Sequence, residues 1–274
     1  MRTILIPTDF SDTAKNAARY GLEFAKHVGA EKIILYNGYS MPISTDTSWE
    51  LVDPIDLKTN SEEAVKAARM LLLPWVEGNI SVETLSDMGF FEDRITEIAA
   101  QVQADLIIMG ITGGGNFERA LFGSNALTTI HNTLVPVLVV PPASVWKMLT
   151  KIAWACDYHN IMETAPLNVI EQVLKLTGAE LHVVHNPPVH QTPGAEAVTE
   201  NMHLHAFLKD TPFQVAVLEG TDLSVAVNAY VEEKGIGWLI VIPKKHGWLA
   251  GLFSKDHTKE LLFHTHVPML CLHQ

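Results

Sequence analysis

Short apolar runs recur along the chain, separated by longer mixed stretches, and their order predicts the fold. Ile4–Pro7 reads as a strand, followed by a helix over Asp12–Val28. Ile33–Tyr36 reads as a second strand, then a long polar loop, then a helix over Ser61–Leu72 with Ser61 as its N-cap. Strands at Ser81–Leu85, Leu106–Met109 and Val137–Val140 alternate with helices over Glu92–Val102 and Asn125–Thr133. The strand runs show little apolar–polar alternation, which indicates a parallel sheet buried on both faces. Strand–helix alternation with right-handed crossovers then gives a doubly wound α/β sheet.

The pattern occurs twice. Thr3-Ile4-Leu5-Ile6-Pro7-Thr8-Asp9-Phe10 is mirrored by Lys151-Ile152-Ala153-Trp154-Ala155-Cys156-Asp157-Tyr158. Each leads into a helical stretch that stops at a Gly-Ala pair, Gly29-Ala30 and Gly178-Ala179, before a second strand, Ile33–Tyr36 and Leu181–Val184. The ends match as well, Leu134–Val140 against His266–Leu272. A shared order of elements from start to finish indicates duplication. We therefore expect two tandem Rossmann-like domains, residues 1–142 and 149–274. Each should be a five-stranded parallel sheet flanked by helices in flavodoxin-like order. Pro141-Pro142-Ala143-Ser144 is the expected linker, because the prolines stop the last strand and stiffen the exit.

Composition narrows the class. The 274 residues suit two domains, and 47% hydrophobic content supplies each with a core. A formal net charge of −12 argues against nucleic acid and against an anionic membrane surface as partners. No apolar run is long enough to span a bilayer, and the N-terminal apolar stretch reads as a strand, not as a signal peptide. The two cysteines, Cys156 and Cys271, are far apart and form no CxxC. This suits a reducing compartment, so the cytoplasm is expected.

The segment Gly110-Ile111-Thr112-Gly113-Gly114-Gly115-Asn116-Phe117-Glu118-Arg119-Ala120-Leu121-Phe122-Gly123-Ser124-Asn125 carries the candidate chemistry. It joins a buried strand to a helix, at the sheet end where α/β proteins bind ligands. Glycines let backbone N–H groups approach phosphate oxygens, and the helix start adds unpaired N–H groups. Glycines that only permit a tight turn are the competing explanation. Neither a P-loop nor a dinucleotide fingerprint is present.

The spacing Gly110-x2-Gly113-x9-Gly123-Ser124 resembles the motif of ATP-binding members of the universal stress protein family. Pro7-Thr8-Asp9 and Val135–Val140 extend the resemblance, which covers both halves as a tandem member. It implies an adenine nucleotide, ATP or its ADP and AMP forms, with Mg²⁺ as companion cation. Pro7, Asp9, Asn37 and Gly38 would lie around adenine and ribose, Gly110 near the ribose, and Gly113, Gly123, Ser124 and Asn125 around the phosphates. Asp9 also suits a turn or cap before the helix. The family further implies an intramolecular pseudo-dimer of the two halves, built on the apolar last strands, while a homodimer of whole chains stays open.

The second half departs from the motif. Pro243, His246 and Ser254 or Lys255 stand where the glycines would be, so side chains should fill the phosphate space. One nucleotide per chain, in the first half, is expected. Asp157 keeps a structural role, and Lys244, Lys245 and Lys255 read as a solvated loop. Eleven of the thirteen histidines lie from His159 onward. They form no His-Glu-x-x-His and have no cysteine pair beside them, so surface and loop packing explains them better than a metal. No nucleophile elbow exists, and Cys156 falls in a buried strand. The glycine loop holds one cation, Arg119, and no lysine, so slow ATP hydrolysis at most is expected. A sensory or regulatory nucleotide-binding protein is the leading expectation. An enzyme acting at a nucleotide phosphate and an interaction module without ligand stay open.

Overall fold

The computed structural model describes residues 1–41, 53–111, 124–156, 161–185, 195–209, 211–218, 223–243 and 266–273. The chain divides into two compact units, which meet in sequence between Trp146 and Lys147.

In the first unit, strand β1 (Thr3–Pro7) is followed by helix α1 (Asp12–Val28), β2 (Lys32–Tyr39) and α2 (Pro54–Leu72). Then come β3 (Ser81–Met88), α3 (Phe91–Gln101), β4 (Leu106–Gly110), α4 (Ser124–Asn132) and β5 (Val137–Val140). Every strand pair is parallel, and the order is β3-β2-β1-β4-β5. Helix α1 packs beside α2, and α3 beside α4. Ile4–Pro7, Leu106–Met109 and Val137–Val140 are buried throughout, as strands covered on both faces must be. The edge strand β3 is mostly half-exposed.

Local signals explain the best-defined helix. Ser11 caps α1 by accepting from the Ala14 amide at 3.2 Å, and Gly29 ends it in the left-handed conformation at φ 66°. Its buried face is mainly small, Ala14, Ala17, Ala18, Gly21 and Ala25, around Leu22 and Phe24, so it lies close to the sheet. Beyond β5, Asn16 Nδ2 donates to the carbonyls of Pro141 (3.2 Å) and Ser144 (3.1 Å). Trp146 meets Tyr20 edge to face, centroids 5.4 Å apart, and Phe24 at 5.5 Å.

The second unit repeats the plan with β6 (Lys151–Ala155), α5 (Ile161–Thr164), α6 (Leu167–Thr177), β7 (Glu180–His185) and α7 (Ala195–Phe207). It continues with β8 (Phe213–Val217), α8 (Leu223–Lys234), β9 (Trp238–Val241) and β10 (Met269–Cys271). Its strands are parallel in the order β8-β7-β6-β9-β10, position for position that of the first unit.

Two expectations need correction. The strand order is 3-2-1-4-5, not the 2-1-3-4-5 of flavodoxin. The third strand lands outside the second, and alternation of elements along a sequence does not encode that choice. Helix α2 begins at Pro54, with Asp53 as N-cap accepting from the Ile55 amide at 2.8 Å. Ser61 is therefore a buried mid-helix residue, not a cap.

Candidate functional site

Neighbouring strands β1 and β4 carry crossovers in opposite directions, so the carboxyl end of β1 lies at the switch point of the first sheet. The ladder to β2 runs one residue past Pro7, with the Thr8 amide donating to the Tyr36 carbonyl at 2.8 Å. The chain then turns sharply. Phe10 takes φ 65°, an uncommon conformation for a bulky residue. Its amide donates to Thr8 Oγ1 at 3.0 Å.

The turn displays Asp9. Its Oδ1 accepts from the Ser11 amide at 3.0 Å and from Ser11 Oγ at 2.6 Å. The side chain is exposed, and Oδ2 has no hydrogen bond among the described residues. A carboxylate oxygen held this way suits a ligand hydroxyl or amine, or a cation.

Gly110 ends β4 directly beside this turn. A Cβ there would lie 2.4 Å from the Thr13 carbonyl oxygen and 2.7 Å from its carbon, so the strand end presses on the first turn of α1. Close helix–strand packing thus accounts for Gly110. Gly38 pairs with Asp87 of β3, and a Cβ on it would be 3.0 Å from Tyr36 Oη.

Asn37 is occupied by the scaffold. Its Nδ2 donates to the Thr8 carbonyl at 2.7 Å and its Oδ1 accepts from Ser61 Oγ at 2.6 Å. Pro7 is buried at the strand end, Ser124 is the first residue of α4, and Asn125 follows it with an exposed side chain. Gly113, Gly123 and the rest of 112–123 lie outside the described residues. So do Asp157, Lys244, Lys245, His246, Ser254 and Lys255 of the second half. The structure thus brings Pro7, Asp9, Asn37, Gly38 and Gly110 to one end of the sheet.

Several neighbours that were not among the expected site residues complete it. Thr8, Ser61 and Ser86 support the turn, and Ser61 Oγ lies 2.5 Å from Ser86 Oγ. Tyr36 is fully buried, is stacked on Phe91 with centroids 6.1 Å apart, and has no partner for its hydroxyl among the described residues. Burial, then the nearby Asp87 carboxylate, push that hydroxyl up to about 12, so it stays a neutral donor. Asp87 pairs with Arg94 at 2.6 Å, and Arg94 also reaches Glu97. Apart from Thr8, which lies within Pro7-Thr8-Asp9, none of these positions carries a motif.

A parallel sheet wound in both directions, with a polar turn and a close-packed glycine at its switch point, places the chain among the open, doubly wound α/β domains. More narrowly, the chain belongs to the universal stress protein family, whose model matches residues 1–141. The universal stress protein MJ0531 of Methanocaldococcus jannaschii is 36% identical over 142 residues, 51% of this chain and 81% of that protein. Slr1230 of Synechocystis sp., also a universal stress protein, is 25% identical over 292 residues, covering 98% of this chain and 99% of its own. A universal stress protein of Archaeoglobus fulgidus has a solved structure that matches with TM-score 0.73 at 19% identity, over 99% of this chain and 96% of that one. This last likeness concerns the fold. The duplication therefore runs through a tandem member of the family.

Proposed function

We propose that the first unit binds one adenine nucleotide, ATP foremost, as a sensory or regulatory site, while the second unit binds none. The observation that carries this is Asp9, held at the switch point by Ser11 with its second oxygen unpartnered among the described residues, beside Gly110. The glycine spacing that starts at Gly110 supports a phosphate ligand, as does the helix start at Ser124. Asp9 also fits as a contributor to a Mg²⁺ shell, since a free carboxylate oxygen is the ligand type that ion takes. Pro243 and the side chains after it, in place of glycines, support an empty second site. The two cysteines, both buried and neither in a disulfide, support a cytoplasmic setting. The apolar strands β5 and β10, each last in its half, support an intramolecular pseudo-dimer.

Calorimetric titration of the full chain with ATP and ADP tests the binding, and one site per chain is expected. Gly123→Val should remove it by placing a branched side chain against the phosphates. Two equivalent sites, or unchanged affinity in the variant, would contradict the proposal. With Mg²⁺ and ATP, phosphate release should stay below ~1 s⁻¹, the low end of ordinary enzyme turnover. Backbone donors that hold ground-state phosphates equally well in both states do not accelerate their transfer.

A further inference from the structure

The hydroxyls and amide beneath the Asp9 turn form a directed chain. The Thr8 carbonyl accepts only, so Asn37 Nδ2 donates to it at 2.7 Å. Asn37 Oδ1 accepts the one proton of Ser61 Oγ at 2.6 Å. Ser61 Oγ has then no proton left for Ser86 Oγ at 2.5 Å, so Ser86 donates to Ser61. The chain runs Ser86 to Ser61 to Asn37 to Thr8, from β3 through α2 and β2 to the exit of β1. Asn37 acts one residue beyond the last register pair of β1 and β2, Pro7 with Tyr36, so its side chain takes over where β1 leaves the sheet.

The second unit contains the same latch with a different donor. The Cys156 amide donates to the Val184 carbonyl at 2.9 Å, matching Thr8 and Tyr36. His185 Nδ1 lies 3.0 Å from the Cys156 carbonyl oxygen, matching Asn37 and Thr8. The acceptor can only accept, so this imidazole nitrogen carries the proton. Asparagine and histidine thus solve one problem at one position of the duplicated fold.

We propose that Asn37 is a positioning residue, and that Ser61 and Ser86 brace its amide against the Thr8 carbonyl so that the Thr8–Ser11 turn holds Asp9 toward the ligand. An asparagine amide can rotate by half a turn and present oxygen in place of nitrogen. The Thr8 carbonyl excludes that state, which would set two acceptors against each other, and the Ser61 proton on Oδ1 adds a second hydrogen bond to the orientation that remains. The turn needs such a hold, because it contains Phe10 at φ 65°. The assignment rests on the nucleotide-binding proposal above for its functional consequence, and on the hydrogen bonds alone for its structural one.

The test uses the full chain and four variants, Asn37→Leu, Asn37→His, Ser61→Ala and Ser86→Ala. Two quantities are read: ATP affinity by calorimetry, and exchange of the Phe10 and Ser11 amides by NMR without ligand. Asn37→Leu should weaken ATP about five- to tenfold, the scale of one lost hydrogen bond, and speed exchange at both amides. Ser61→Ala should do the same to a smaller extent without disturbing the strand end, and Ser86→Ala less again. Asn37→His borrows the second unit's donor and should restore both readouts to near the wild-type values. Unchanged exchange in both Asn37→Leu and Ser61→Ala overturns the proposal, whatever happens to binding. A loss of affinity in Asn37→His equal to that in Asn37→Leu also overturns it, because Asn37 would then be touching the nucleotide itself. If the wild-type chain binds neither ATP nor ADP, the nucleotide reading fails. The exchange data still decide whether the latch holds the turn.

Discussion

Gly110 ends β4 against the first turn of α1. The spacing Gly-x2-Gly-x9-Gly-Ser puts it in the expected ligand loop. The structure adds the backbone of Thr13, which leaves no room for a Cβ. A sequence names the glycine but not the neighbour that demands it. Gly110→Ala is accordingly expected to lower stability by about 1–3 kcal/mol, the usual effect of overpacking. The obstruction is a helix carbonyl and not a flexible side-chain tip, so relaxation is limited. Urea denaturation checks this, and a loss under ~0.5 kcal/mol would show that the strand end moves freely. Ser61 was misread for the opposite reason. Serine is a good cap, yet this one sits in the second turn of a helix that starts at Asp53-Pro54, and its hydroxyl serves Asn37 instead. The Asp-Pro pair, a strong start signal in itself, lay inside a stretch read as loop. Ser86 was hidden in the mixed polar run of an edge strand, Ser81–Met88, where no periodicity singles it out.

Elements were legible wherever capping and apolar pattern agreed. Helix α1 spans Asp12–Val28, the expected bounds, because Ser11 and Gly29 close it at both ends. The five strands of the first half fall on its apolar runs, with β2 and β3 extending three residues further than expected at their carboxyl ends. What pattern does not carry is lateral order, since a crossover of given length can land on either side of the preceding strand. Nor does it carry the docking of a connecting segment. Residues 141–146 read as a stiff exit, but they are also tied to α1 through Asn16, and Trp146 packs edge-on against Tyr20 and Phe24. Trp146→Ala should therefore cost about 1–3 kcal/mol, below the range for a fully buried aromatic because the ring is half-exposed. Val145→Ala, at a neighbouring side chain 73% exposed, should change stability by less than ~0.5 kcal/mol. Equal effects of the two substitutions in thermal melts would remove the anchoring role given to Trp146.

Across the whole molecule, the duplication supplies an internal control for what the fold requires. Ile34 pairs with Leu5 in the first unit and His182 pairs with Ala153 in the second, at the same register positions. The first unit buries an apolar side chain there, so an imidazole is not needed for folding. His182 is completely buried. Its Nε2 lies 3.0 Å from Gln214 Nε2, an atom that only donates, so Nε2 accepts. Its Nδ1 then carries the proton and donates to Tyr230 Oη at 2.9 Å. The ring is thus bonded as a neutral imidazole. Burial depresses its pKa below the usual histidine value, nearby Glu180 opposes the shift, and Lys151 and Lys234 add to it. The sign of the linkage follows. In the unfolded chain this histidine takes up a proton below about pH 6.5, whereas in the folded unit it resists protonation to lower pH. Unfolding therefore gains protons on acidification, and stability falls as pH drops from 6.5 through the folded pKa, with no contribution from His182 to the slope above that window. The melting temperature of the second unit should decrease between pH 7.5 and 5. His182→Ile, which installs the first unit's residue, should flatten that decrease whatever it does to stability at pH 7.5. Comparing slopes, not levels, separates the titration from the cost of leaving Tyr230 Oη unpaired, and it cancels the other histidines, which both proteins share. Parallel pH profiles for wild type and variant would mean that His182 is not the group that makes the second unit sensitive to acid.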